Sequence, residues 1–185
     1  DIVSASTFGR WFRCAGNSAG VDINRGRDCA ALGNVLHADR KGGIQIRESE
    51  RARVAGNLCH QCEGDGIELD QSKAVEIADN LIVSCRGAGI AFNTKCAEIT
   101  ARHNNVFGCR SYGRCERKAF KDLAAWKAEA GMGEESMSAL PGFADPPSDL
   151  TLRPDSPLRR KASDGLDIGI VWTQSRLFTS VRTVL

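Results

Sequence analysis

Asn34, Asn57 and Asn80 stand 23 residues apart, and Asn104 follows after 24. Other columns keep the same register. Gly20-Val21, Gly43-Ile44, Gly66-Ile67 and Gly89-Ile90 repeat at 23 residues. Two positions on, Ile23, Ile46, Leu69 and Phe92 form a further apolar column. Ala31, Val54, Ile77 and Ala101 precede the asparagines, and Leu36, Cys59, Ile82 and Val106 follow them. A period held at several columns at once implies a stack of equivalent units, each burying its apolar side chains against its neighbours. Within a unit the apolar positions alternate with polar ones, which is the two-residue period of a strand.

Three short strands per unit, separated by Gly, Asn and charged turns, do not pair as hairpins. The repeat predicts an all-β fold: a right-handed parallel β-helix, a solenoid of about 23-residue coils. Equivalent residues then lie ~4.8 Å apart in adjacent coils, and the asparagine amides can join in a hydrogen-bonded ladder. A leucine-rich repeat is excluded because its leucine consensus is absent. A β-sandwich does not demand identical spacing at five columns.

The 185 residues read as a single β-helix domain, with regular coils over 20–109, one helix over 116–130 and an extended closing segment over 131–185. In the helix, Phe120, Leu123, Ala124 and Trp126 lie near one face and Gly131 supplies the stop. The helix is expected against the side of the solenoid or over its C-terminal end. Residues 131–165, rich in Gly, Pro, Ser and Asp, read as extended loop. Residues 167–172 read as a further strand, and 177–185 as a final strand or tail. The first 19 residues fit the register poorly. Phe8, Trp11 and Phe12 suit an irregular first coil or a cover over an open end. An uncovered end is a strand edge open to addition, so a homo-oligomeric contact there is an expectation.

The net charge of +2 gives no strong field for nucleic acid or an anionic membrane, and neither is expected as a partner. No apolar run reaches the length of a transmembrane helix. No signal-peptide pattern stands at the start. A chain that begins at Asp1 fits a processed form, a domain or a fragment alike.

The motifs Gly66-Ile67-Glu68-Leu69 and Val75-Glu76-Ile77-Ala78-Asp79-Asn80-Leu81-Ile82, with their echoes, cover about half of the chain. The closing segment adds Pro141-Gly142-Phe143-Ala144-Asp145, Asp149-Leu150-Thr151-Leu152-Arg153-Pro154-Asp155-Ser156-Pro157 and Asp167-Ile168-Gly169. This pattern resembles the right-handed parallel β-helix superfamily of pectate lyases, alginate lyases and related glycosidases. The tail is similar to the one that closes bacterial carbohydrate-active members. The resemblance implies a polysaccharide or oligosaccharide partner, lyase or glycoside hydrolase chemistry or a truncated remnant of it, and an extracellular or periplasmic setting. No catalytic motif of a single family matches residue by residue. A non-catalytic module for glycan binding or assembly is the alternative, because fold does not fix function.

The polar face of the Gly-Ile strands is the place where such chemistry would sit. With Ile67 and Leu69 inward, Glu68 and Asp70 point outward at a separation of ~7 Å. Neighbouring coils supply Asp22 and Asn24, then Gln45 and Arg47, then Ala91 and Asn93. Two carboxylates at such a distance suit acid and base roles in glycoside cleavage. Glu68, Asp70 and Arg47 are therefore the candidate catalytic residues. Asp22, Asn24, Gln45, Asn93, Lys73 and Lys95 are the candidate substrate contacts. A lyase needs a base and a neutraliser for the uronate carboxylate, roles open to Arg47, Lys73 and Lys95. The bland counterpart is a solvated strand face with Arg47 above Asp70 as a surface ion pair worth 0 to ~1 kcal/mol. No cofactor is implied; calcium is the one ion held open.

Cys59-His60-Gln61-Cys62 invites a zinc or redox reading. However, Cys59 falls in the inward column of Leu36, Ile82 and Val106, and Cys62, Cys85 and Cys109 form a column of their own. A cysteine ladder inside the solenoid accounts for the motif, since buried cysteine behaves as a small hydrophobe. Free thiols and one vertical disulfide both fit the ladder. His37 and His60 pair at the same spacing, and His103 reads as a turn residue.

Overall fold

The structure, a computed structural model, describes residues 8–10, 13–15 and 20–169. Trp11, Phe12, the tail at 177–185 and the end of the 167–172 segment lie outside the described residues, and 167–169 carry no strand.

Each coil contributes three strands. They are β1 (Phe8–Arg10), β2 (Arg13–Ala15) and β3 (Val21–Asn24), followed by β4 (Ala30–Leu32), β5 (Val35–His37) and β6 (Gly42–Arg47). Next come β7 (Arg53–Ala55), β8 (Leu58–His60) and β9 (Asp65–Asp70), then β10 (Lys73–Ala78), β11 (Leu81–Val83) and β12 (Ala88–Phe92). The last regular set is β13 (Ala97–Arg102), β14 (Asn105–Phe107) and β15 (Ser111–Cys115). Like strands stack in parallel into three sheets, in the orders β1-β4-β7-β10-β13, β2-β5-β8-β11-β14 and β3-β6-β9-β12-β15. We call these the first, second and third sheets. The solenoid read from the repeat is therefore the fold. β1 and β2 pair with β4 and β5 at an offset of 22 residues, as in Phe8↔Ala30 and Cys14↔Leu36, which is why a 23-residue register fails there.

The inward columns make one continuous core. Ile44, Ile46, Ile67, Leu69, Ile77 and Ile82 are fully buried. The glycines before the Ile column allow this closeness: a Cβ on Gly66 would lie 2.3 Å from Ile82 Cγ2, and one on Gly89 2.3 Å from Val106 Cγ1. The asparagine ladder forms as expected, wholly buried. Asn34 Nδ2 donates to Asn57 Oδ1 at 2.8 Å, Asn57 Nδ2 to Asn80 Oδ1 at 2.9 Å, and Asn80 Nδ2 to Asn104 Oδ1 at 2.9 Å.

The corners turn on single residues with left-handed backbone. Arg25, Glu48, Gln71 and Lys95 form one such column, with φ between 48 and 56°. Gln61, Ser84 and Gly108 form a second, and Gly33, Gly56, Asp79 and His103 a third. Non-glycine residues take this region at a cost. It is offset because the corner amides stay in the inter-coil ladder, as with Glu48 N to Asp70 O at 3.0 Å and Gln61 N to Val83 O at 2.9 Å.

The C-terminal end closes differently from the expected 116–130 helix. Glu116 turns in the left-handed region, and β16 (Lys118–Phe120) folds back antiparallel on β15. The helix α1 spans only Leu123–Ala130, because Asp122 caps it by accepting from Ala125 N at 2.9 Å; Gly131 ends it at φ 66° as expected. Phe120 thus lies in a strand, although its spacing from Leu123 is helical. Trp126 of α1 is fully buried over the end of the core, with ring centroids 5.2 Å from Phe120 and 5.5 Å from Phe92.

After α1 the chain adds a partial rung. Gly133 N reaches Ala101 O at 2.8 Å, and Met137 N reaches Asn104 O at 2.8 Å. Ser136 Oγ continues the asparagine ladder by accepting from Asn104 N at 3.0 Å. The chain then forms the hairpin β17 (Phe143–Asp145) and β18 (Asp149–Leu152) and straps the second sheet. Leu150, Leu158 and Ile168 pack there on the outward side chains Val35, Leu58, Leu81 and Val83. Ser163 fastens the strap through its amide and hydroxyl, both 2.7 Å from the Asp79 carboxylate.

His37 and His60 stack beside this strap with ring centroids 5.1 Å apart and Nδ1 atoms 3.2 Å apart, and Phe143 meets His60 edge-on. Burial, reinforced by His37, pushes His60 down from 6.5 to about 4. The unfolded chain therefore binds a proton that the folded chain rejects. Stability is full above pH 6.5 and falls as the pH drops toward 4. Chemical denaturation at stepped pH is expected to show a loss on the order of 2–3 kcal/mol across that window. His60→Gln should flatten it; an unchanged slope in that variant would count against the assignment.

Candidate functional site

The third sheet places the polar residues in register. Asp22, Gln45, Glu68, Ala91 and Arg114 are successive partners in one outward column, and Asn24, Arg47 and Asp70 in the next. Ile67 and Leu69 are wholly buried, while Glu68 and Asp70 are half-buried on the outer face. Glu68 is fixed on both oxygens: Gln45 Nε2 donates to Oε2 at 2.8 Å and Asn93 Nδ2 to Oε1 at 2.6 Å. Asn93 in turn accepts from Arg114 Nη1 at 2.8 Å, and Arg114 Nη2 pairs with Asp65 at 2.7 Å. Asp65 Oδ1 also takes the Ala88 amide, at 2.6 Å. A chain of polar contacts thus runs from Gln45 through Glu68, Asn93 and Arg114 to Asp65, crossing four strands.

Sequence reading brings together Gln45, Glu68 and Asn93, and misses Arg114 and Asp65. The 23-residue spacing from Ala91 points to Arg114, but its basic neighbours Arg110, Arg117 and Lys118 make the stretch read as a solvated face. Asp65 starts β9, ahead of the alternating positions. Arg47 does not pair with Asp70, a correction to the expected stack. Its guanidinium reaches diagonally back to both oxygens of Asp22. Asp70 instead accepts from Thr94 Oγ1 at 3.2 Å and Gln71 Nε2 at 3.3 Å. Asn24 sits beside Arg47, and its Oδ1 is shielded with no partner among the described residues. Lys73 belongs to β10 of the first sheet, where it pairs with Glu98 at 3.1 Å, and so lies off this face. Lys95 is an exposed corner residue.

Elsewhere, a cleft of about 370 Å³ opens between the second sheet and the strap, with His60, Ser84, Phe107, Phe143 and Arg153 in its walls. Cys59 and Cys62 are both fully buried in the core, which takes them out of reach as a surface Cys-x-x-Cys. Cys29, Cys59, Cys62, Cys85, Cys96, Cys109 and Cys115 are free thiols. His103 is a left-handed corner residue.

Residues 6–118 match the family described as the right handed beta helix region. The match covers more than half of the chain and the same coils that carry the three sheets, and the chain belongs to that family. No curated protein matches the chain.

Proposed function

We propose that this protein is a carbohydrate-active β-helix that takes a polysaccharide or oligosaccharide strand along the third sheet, as a glycoside hydrolase or polysaccharide lyase type or a remnant of one. The observation that carries this reading is the Glu68 carboxylate. It is held on both oxygens by side-chain amides, two strand positions from Asp70 and linked through Asn93 to Arg114. A row of fixed carboxylates, amides and guanidinium groups matches the planar spread of sugar hydroxyls. In this reading Asp70 and Glu68 serve as the acid and base pair of glycoside cleavage, their ~7 Å separation leaving room for a water. Arg47 and Arg114 neutralise a uronate carboxylate. Asp22, Asn24, Gln45 and Asn93 contact hydroxyls, and Lys73 and Lys95 could only meet the outlying parts of a long chain.

A non-catalytic glycan-binding module is the second reading. It is favoured by the two hydrogen bonds that Gln45 and Asn93 donate to Glu68, which occupy the oxygens that a reacting carboxylate presents. Binding and turnover on a panel of acidic and neutral polysaccharides separate the two. The catalytic reading expects Glu68→Gln and Asp70→Asn each to lower turnover by about 10²-fold or more, the usual cost of losing a general acid or base. Binding should stay within a few-fold. The module reading expects binding without turnover in the parent chain, weakened in Glu68→Gln. Unchanged binding and turnover in both variants removes this face from consideration.

A further inference from the structure

The Cys62, Cys85 and Cys109 column is used neither by the polar face nor by the strap. It stands at the corner between the second and third sheets, one cysteine per coil. Each follows a left-handed residue, Gln61, Ser84 or Gly108, which turns the sulfur inward. The backbone around the lower two stays in register, with Glu63 N on Asp39 O at 2.8 Å and Arg86 N on Cys62 O at 2.9 Å. A one-coil rise of ~4.8 Å lies within the Cα separation that a disulfide spans, roughly 4.4–6.8 Å.

The three thiols differ in access. Cys62 and Cys85 are 0% and 2% exposed, whereas Cys109 is half-buried between the exposed residues Gly108 and Arg110. The pairing of Val83 with Phe107 across adjacent coils sets Cys85 level with Cys109. We propose that Cys109 is a hydroperoxide-reactive thiol and that Cys85, one coil away, resolves it as a vertical disulfide.

The surroundings favour that order of events. The Cys85 thiol, and after it the backbone amides of Cys85 and Ser84, hold Cys109 below the ordinary thiol value despite its burial. Hydrogen bonding to Cys109 and Cys62, with burial, pushes Cys85 up, so it keeps its proton where Cys109 ionises. Cys96 and Cys115 are also half-buried, but burial raises both. A thiolate-prone, accessible cysteine beside a second thiol is the arrangement that redox-responsive pairs use.

In the first step the Cys109 thiolate attacks one peroxide oxygen and the O–O bond breaks. The sulfur becomes a sulfenic acid, and the departing oxygen leaves as water or an alcohol with the proton from Cys85. In the second step the Cys85 thiolate attacks the sulfenic sulfur, the S–O bond breaks, and the hydroxide leaves as water with a proton from solvent, equal to the one that Cys109 released on ionising. Two thiols and one hydroperoxide give one disulfide, one water and one water or alcohol.

The test treats the full chain with hydrogen peroxide, quenches at intervals with iodoacetamide and maps the peptides by mass spectrometry. Cys109 is expected to be consumed on the order of tenfold faster than Cys96 and Cys115, with a Cys85–Cys109 cross-link accumulating. In Cys85→Ala the cross-link is lost and a dimedone adduct appears on Cys109. Because that variant alters the core, the parent chain's own kinetics carry the decision. Oxidation of Cys109 no faster than of Cys96 and Cys115 overturns the proposal. So does a Cys62–Cys85 cross-link, or sulfenic acid that persists on Cys109 in the parent chain.

Discussion

Asn80→Ala is expected to cost about 4 kcal/mol or more of unfolding free energy, enough to leave the chain largely unfolded under mild denaturant. The amide of Asn80 serves three coils at once. Its Nδ2 donates to Val54 O and to Asn104 Oδ1, each at 2.9 Å. Its Oδ1 accepts from Asn57 N at 3.0 Å and from Asn57 Nδ2 at 2.9 Å. Alanine removes all four contacts and leaves their partners fully buried. Each buried polar group stranded in this way costs about 1–3 kcal/mol. The ladder lies inside the solenoid at 0% exposure, away from bulk solvent. Asn80→Asp keeps the acceptor but turns a second carboxylate oxygen toward the acceptors Val54 O and Asn104 Oδ1 and buries a charge at neutral pH, so it should lose at least as much as alanine. Equilibrium unfolding in urea checks both. A loss below about 1 kcal/mol in Asn80→Ala would mean that the ladder contributes little.

Trp126→Ala is expected to cost about 3–5 kcal/mol, the range for removing a buried aromatic ring. Trp126 does more than fill space, because it is the contact through which the short helix covers the last coil. Gly113 is shaped around it: a Cβ there would lie 2.3 Å from the indole Cζ3. Its loss exposes Phe92, Tyr112 and Phe120 together. The unfolding midpoint should fall and a hydrophobic dye should bind the folded chain. A midpoint within experimental error of the parent would show that the end of the solenoid is stable uncovered.

The coils were legible because identical residue types return at identical spacing. Asn in a buried column cannot be replaced by another side chain that both donates across and accepts along the stack, so its chemistry keeps the signal visible. The corners were not legible. Arg25, Glu48, Gln71 and Lys95 share a backbone conformation and no side-chain chemistry, since the ladder, and not the side chain, holds them there. The start of the helix was misplaced because Phe120, three residues before Leu123, mimics a helical face while the antiparallel return of β16 sets its conformation. The polar face was legible in its columns and not in its pairing. Alternation places Arg47 outward, but only the structure sends its guanidinium diagonally to Asp22 and not to Asp70, directly opposite. Arg114 was hidden by its basic neighbours, although the repeat places it next after Ala91.

The corner turns also govern how this chain tolerates a change of length. Lys73↔Ala97 and Leu81↔Asn105 are 24 residues apart, yet Ala88↔Ser111 returns to 23. One residue has been gained between β12 and β13 and one lost between β14 and β15, and all three sheets stay in register. Each corner is a single left-handed step between independently paired strands, so an indel is absorbed where it occurs and is not passed along the stack. Peptides inserted at Thr94-Lys95 or Gly108 would therefore project from the molecule without shifting a single buried column. That makes these corners the natural sites for grafting loops beside the polar face.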